Sequence, residues 1–377
     1  MKPWTVKLSR RSVLAISIAA LVACGGGMQT QTGMPGTGGT GMYAQGSISG
    51  FGSVVVNGIK FDDVNATVQV NGVAARSSDL RIGMVAGVQG QRGTTPTLGT
   101  AERIEVWSVA QGTIAQLAAG QFTLNGMTIK TDSGTMFDGI ASAAQLSPGL
   151  RVAVWGLQAS ADGRSWTATR VAIVPDTTAV SSGVVSVTSG QRTLNGQVLT
   201  GSAAGTLNAG DLVRVTGTLS AAGDNLEVAS IRLQGPLAAT AQGEGEVEGV
   251  VTSVLSARHF MMGSIEVDAS SAVLNPSTLQ IAAGSRLEAE GTWQAGVLKA
   301  TKLEAESEQM LTGVEIEAII EQFTSLSNFV VRGQLCDASQ AVISHGTAAD
   351  LKAGVKVHLK GTKAGDVLMV TELEIEI

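Results

Sequence analysis

The sequence predicts an all-β chain of tandem small barrels, OB-like and five-stranded, after a signal peptide and a flexible tether. Three observations carry this reading. The 377 residues hold 48 glycines against 7 Phe, 5 Trp and 1 Tyr, nearly double the usual ~7% glycine, so tight corners are plentiful and bulky core residues scarce. A glycine-framed segment recurs five times along the chain. Between its glycines, apolar and polar positions alternate with the two-residue period of a half-buried strand. Hydrophobic residues make up 44% of the chain, which excludes disorder throughout. Collagen would need glycine at every third position, and a membrane-spanning barrel would need aromatic girdles.

At the N-terminus, residues 1–11 carry Lys2, Lys7, Arg10 and Arg11 without an acid, and residues 12–23 form a short apolar run. This is the pattern of a signal peptide over residues 1–23, too short to span a membrane as a mature helix. The run Ser9-Arg10-Arg11-Ser12-Val13-Leu14 resembles the twin-arginine export motif, with Arg10 and Arg11 as the pair. Val13 stands where that motif prefers Phe, and export by the twin-arginine or the general route is left open. Leu21-Val22-Ala23-Cys24 resembles the bacterial lipobox, which implies a diacylglycerol on the Cys24 thiol and a membrane partner through that lipid. Gly25 after the cysteine implies sorting to the outer membrane of the cell envelope, facing the periplasm or the surface. More than one acyl chain is needed for stable anchoring, and bacterial lipoproteins meet that condition.

Removing residues 1–23 takes away four positive charges and moves the net charge from −6 to −10. Nucleic acid is thereby excluded as a partner, because binding its phosphates needs clustered Lys and Arg. Residues 24–45 are rich in Gly, Thr and Gln without apolar periodicity and read as the tether. Met28, Met34 and Met42 within it have neither neighbouring His nor a spacing that would fix a metal. With Cys24 lipidated, Cys336 is the one remaining thiol, so no intramolecular disulfide can form. It sits in an apolar run, residues 329–336, as a small core residue.

Five modules follow, over residues 46–108, 109–176, 177–238, 239–306 and 307–377. Each opens with a strand near Gly46, Gly112, Gly183, Gly249 or Gly313. A second strand ends in Gly, as in Phe122-Thr123-Leu124-Asn125-Gly126; in modules one to three the pair is Asn-Gly, which favours a type I′ hairpin because both residues tolerate positive φ. The frame comes next: Leu80-x-x-Gly83 to Gly90, Leu146-x-x-Gly149 to Gly156, Leu207-x-x-Gly210 to Gly217, Ile281-x-x-Gly284 to Gly291, and Leu351-x-x-Gly354 to Gly361. Its two glycines are always seven apart, and its third and fifth positions are small or apolar throughout. A closing strand follows, such as Ala101-x-x-Ile104-x-Val106. Five short strands with an apolar residue plugging one end between the third and fourth suit the OB-like barrel, with Leu80, Leu146, Leu207, Ile281 and Leu351 as the plugs. Some sixty residues without a disulfide make a marginal domain, so neighbouring modules should pack on one another.

This frame behind a lipobox resembles the bacterial domain of unknown function 5666, found in envelope lipoproteins. The resemblance covers residues 45 to 377 and is clearest in modules one and two. It implies no catalytic residue, cofactor or ligand.

Chemistry is sparse in the residues themselves. His259, His345 and His358 show no metal-ligand spacing, so no metal or other cofactor is expected. His358 falls at an outward frame position, and Glu244, Glu246 and Glu248 alternate as the solvated face of an edge strand would. The chain reads as no enzyme. The expected function is a multi-domain scaffold or protein-binding lipoprotein of the envelope. The alternative is a glycan- or small-molecule-binding lipoprotein that uses OB-like faces, with Trp107, Trp155 and Trp293 as stacking residues; Trp155 and Trp293 fall at or near outward positions around the fourth strand.

Overall fold

The computed structural model describes residues 41–176, 178–234, 241–306 and 313–376. Arg10, Arg11 and Cys24, with residues 24–40 of the tether, lie outside them. Module one contains β1 (Gly41–Phe51), β2 (Val54–Val56), β3 (Ile59–Asp62), β4 (Thr67–Val70), β5 (Val73–Ala75), β6 (Val85–Arg92) and β7 (Leu98–Val106). Module two contains β8 (Ala110–Ala118), β9 (Gln121–Leu124), β10 (Met127–Lys130), β11 (Met136–Asp138), β12 (Arg151–Gln158) and β13 (Ser165–Ile173). In module three are β14 (Ala179–Thr188), β15 (Gln191–Leu194), β16 (Gln197–Thr200), β17 (Leu212–Leu219) and β18 (Asn225–Leu233). Module four has β19 (Gly243–Ser256), β20 (His259–Met262), β21 (Ile265–Asp268), β22 (Val273–Asn275), β23 (Arg286–Gln294) and β24 (Val297–Ala305). Module five has β25 (Val314–Ser325), β26 (Asn328–Val331), β27 (Gln334–Asp337), β28 (Val342–Ser344), β29 (Lys356–Ala364) and β30 (Val367–Glu376).

Each module closes on itself by one rule. In module two, β8 pairs with β9, β9 with β10, β10 in parallel with β13, β13 with β12, and β12 back with β8. The same five-membered circuit, with its single parallel step, runs in module three and in modules one, four and five. Closure removes the open strand edges that would otherwise invite aggregation. A short extra strand, absent from module three, lies parallel to the closing strand in the other four. Nothing in the sequence frame announced it.

The frame glycines have distinct tasks. The first sits at φ between 82° and 93° in all five modules, a left-handed conformation that costs an L side chain about 1–2 kcal/mol. There its N–H donates to the carbonyl of Ile48, Ile114, Val185, Val251 or Ile320 on the opening strand, at 2.8–2.9 Å. The second glycine marks a β-bulge every time, as at Trp155/Gly156 and Thr216/Gly217. A Cβ there would overlap the backbone carbonyl of Thr100, Thr167, Glu227, Lys299 or Met369. Between the glycines, both apolar frame positions are fully buried in every module. Leu80, Leu146, Leu207 and Leu351 are buried plugs, and Ile281 is a partly buried one against the core of module four.

Two expected boundaries shift. The first strand starts at Gly41, not Gly46, because residues 42–45 pair on one side with β6 and on the other with β19. This short run is held by pairing that no local pattern reveals, and Met42 is a core residue. In module five β25 opens at Val314, but its strand register places Ala318, opposite Val357, where Gly112 faces Val152 in module two.

The modules do not lie in a row by sequence. β1 pairs in parallel with β19 and, further along, with β25, so modules one, four and five share one continuous sheet. β8 and β14 pair antiparallel and join modules two and three in a second. The described residues, from Gly41 onward, make one compact unit.

Candidate functional site

The seams between modules hold most of the polar chemistry. Asn57, Asn125 and Asn195 occupy the first corner of their Asn-Gly turns at φ of about 50°, which swings the side-chain amide back over the opening strand. Asn125 Nδ2 donates to the carbonyl of Gln111 in its own module and to that of Val180 in module three, at 2.9 and 2.8 Å. Asn57 Nδ2 likewise donates to Gln45 O and to Glu246 O of module four, at 3.1 and 3.2 Å. Asn195 reaches Ser182 O at 2.8 Å and Ser181 Oγ at 3.0 Å. The amide lies where a Cβ would stand on Gly46, Gly112 or Gly183, so the opening glycine and the turn asparagine form one device. Where the asparagine is gone the device changes. Met262 packs on Gly249 in module four, and Ala318 fills the glycine position in module five, whose Arg332 lies 4.1 Å over the Phe51 ring of module one.

Aromatic side chains fill other seams. Trp155 is 6% exposed and packs in the core that modules one and five share with Met136, Ala153 and Ala172 of module two. Trp293, also 6% exposed, meets Tyr43 of module one edge-on at 5.7 Å, and Tyr43 belongs to the core of module four. The outward placement expected for both tryptophans is therefore corrected: Trp155 faces away from its own barrel but is covered by modules one and five, whereas Trp293 shares the face of Leu287 and Ala289, opposite Leu298, in the core of module four itself, where Tyr43 packs on it. Burial pushes the Tyr43 phenol far above its ordinary range, aided by the nearby Glu105 charge. Arg170 crosses from module two to donate to Ile82 O at 3.0 Å while paired with Asp138; burial lowers its pKa. Lys363 of module five donates to Thr135 O of module two, and burial pulls its pKa down to about 8.

The acidic alternation also needs correction. Glu246 and Glu248 are buried at 7% and 4% exposure, because β1 covers the strand. Glu248 accepts from Arg286 Nε and Nη2 at 3.0 and 2.8 Å and from Ser47 N at 3.3 Å. Glu246 stands opposite Glu290, and Glu288 stands between Glu248 and Glu304. Burial first, and then these like charges, raise Glu246 to about 7 and Glu288 to about 8.

Where modules one to four meet there is a cavity of about 190 Å³. Module one contributes Tyr43, Gln45, Glu105 and Trp107, module two Gln158 and Trp166, module three Ser182 and Gln234, and module four Glu248 and Ser264. A second cavity of about 410 Å³ adjoins it through Gln158, Val184, Leu212, Gly263 and Ser264 and reaches Trp293. Trp107 is the one member of the expected aromatic set that lines the first cavity. Tyr43, Gln234 and the turn asparagines were missed as site residues; for the asparagines, their recurrence beside an opening glycine was the available signal.

His259 pairs with Glu266, His345 with Glu374 and His358 with Glu315, at 2.6–2.7 Å, and His358 also lies 3.9 Å from Glu374. His358, expected in solvent, is half-buried beside Glu315. No group of three or more His, Cys, Asp or Glu among the described residues is arranged to hold a metal ion. Cys336 is fully buried and its thiol is pushed up to about 12 by that burial.

Residues 111–172 and 248–304 match the family described as a domain of unknown function (DUF5666). These spans are modules two and four from opening to closing strand. No curated protein matches the chain.

Proposed function

We propose that this chain, which carries two DUF5666 domains among five barrels of one topology, is a non-catalytic, lipid-anchored protein of the cell envelope that holds or presents other envelope proteins. The observation that carries the reading is the use of its scarce aromatics. Trp155, Trp293 and Tyr43 join modules to one another, whereas an OB-like face that binds sugars or single strands needs its aromatics free for stacking. A buried, protonated Cys336 speaks against a thiol nucleophile, since the thiolate is the reactive form. In this reading the signal peptide, with Arg10 and Arg11, directs export by the twin-arginine or the general route, Cys24 carries the lipid, and the tether joins the body to the outer membrane.

The anchor is tested by detergent-phase partitioning of the chain expressed in a bacterium that processes lipoproteins. The wild type should enter the detergent phase, and Cys24→Ala should stay in the aqueous phase. A wild type found in the aqueous phase would contradict the anchor. Crosslinking in the envelope of its own cell then tests the scaffold: a reproducible protein partner is expected, and crosslinks confined to the chain itself would argue against it.

A further inference from the structure

We propose that the 190 Å³ cavity where modules one to four meet binds one uncharged pyranose ring. Neither the lipid anchor nor the scaffold role is needed for this. The argument starts from an unmet hydrogen bond. Gln234, the residue after β18, is 7% exposed and lines the cavity. Its backbone is fixed by donation from its N–H to Leu212 O at 2.8 Å, yet its side-chain Nε2 is buried without a partner. Leaving such a donor unmet is costly, and a ligand oxygen in the cavity would satisfy it.

Size and charge select the class. An engineered apolar cavity of about 150 Å³ holds one benzene, so about 190 Å³ suits a single substituted six-membered ring, and the adjoining space of about 410 Å³ leaves room for its substituents. The two carboxylates lining the cavity already have cations: Glu105 pairs with Arg103, and Glu248 with Arg286. No net charge is left for a cationic ligand to neutralise, and an anionic one would meet two carboxylates. What remains is neutral: the amides of Gln234, Gln45 and Gln158, the Ser264 hydroxyl, and the half-buried indole of Trp107. Hydrogen-bonding amides beside an aromatic face match a ring that is hydroxylated on its rim and apolar on its C–H face. The cavity lies between modules, so this is a site that no single barrel possesses.

The test is calorimetric titration of the mature chain with glucose, galactose and N-acetylglucosamine, followed in parallel by tryptophan fluorescence, with glucuronate and glucosamine as charged controls. At least one neutral sugar should bind, and Gln234→Leu and Trp107→Leu should each weaken it about tenfold or more, the loss expected for one good contact. Gln234→Leu removes a buried unmet donor, so its thermal midpoint should equal or exceed that of the wild type, which separates lost binding from lost folding. The proposal is overturned if no neutral sugar binds up to about 50 mM, if both variants bind as the wild type does, or if only the charged sugars bind.

Discussion

Asn57 and Asn125 show how one side chain can serve both a turn and a seam. Asn125 provides the positive φ that the hairpin needs, and its amide bridges two backbone carbonyls in different modules. Asn125→Ala should cost roughly 2–3 kcal/mol, since two buried acceptors lose their donor. Gly112→Ala should cost a similar amount by displacing the amide. The double variant should cost at least ~1 kcal/mol less than the sum, because the two residues act as one device; strict additivity in urea denaturation would show that they do not. Module five already carries the double change, with Ala318 and Arg332 in the two positions. The glutamates of the β1–β19 seam give a second prediction. Glu246 and Glu288 have folded pKa values of about 7 and about 8, above those of an unfolded chain near 4.3. The folded state thus keeps protons that the unfolded state has released, so stability is greatest at the acidic side of this window and falls as pH rises through 7 and 8. The thermal midpoint should drop between about pH 5.5 and about pH 8.5, and Glu288→Gln should be the more stable protein at the alkaline end, by an amount on the order of 2 kcal/mol. A midpoint flat or rising across that range would count against this assignment.

At the scale of the element, much of the barrel was legible in the sequence. The seven-residue glycine spacing is a physical requirement: one glycine must turn left-handed to meet the opening strand, and the other must let the closing strand's carbonyl approach at a bulge. Gly217→Ala should therefore be more damaging than Gly210→Ala. The first would push a Cβ into the Glu227 carbonyl, whereas the second has open space around it and pays only for its φ of 89°, about 1–2 kcal/mol. Equal losses in a melting experiment would mean that the bulge can relax. What was not legible lies on the outward faces. Alternation along β12 correctly turns Trp155 away from its own barrel, but it cannot say whether water or another module waits there; along β23 the same alternation puts Trp293 on the inward face with Leu287 and Ala289, and the outward reading of it is mistaken. The same blindness placed Glu246 and Glu248 in solvent. The cavity is equally hidden, since Tyr43, Trp107, Gln234 and Ser264 are far apart in sequence and share no spacing.

For the whole molecule, the strand next to the tether is the hub. β1 closes its own barrel and also pairs with β19 and β25, more than two hundred residues away in sequence, so three barrels depend on this one strand. Contacts of such long sequence separation make folding slow, and a twin-arginine route, which carries folded proteins, would suit a body that must be assembled before it is anchored. A chain starting at residue 53, without β1, should lose the joining of modules one, four and five while the β8–β14 pair of modules two and three persists. Hydrogen exchange would read this as retained protection in β8–β18 and lost protection in β19 and β25; retained protection in all five modules would show that β1 is dispensable. The central claim is that seam residues weld five barrels into one body. Small-angle X-ray scattering of the mature chain lacking its tether tests it most directly. One compact body of this length should give a radius of gyration between about 20 and 25 Å and a bell-shaped Kratky curve. A value well above about 30 Å, with the rising Kratky curve of linked beads, would contradict it.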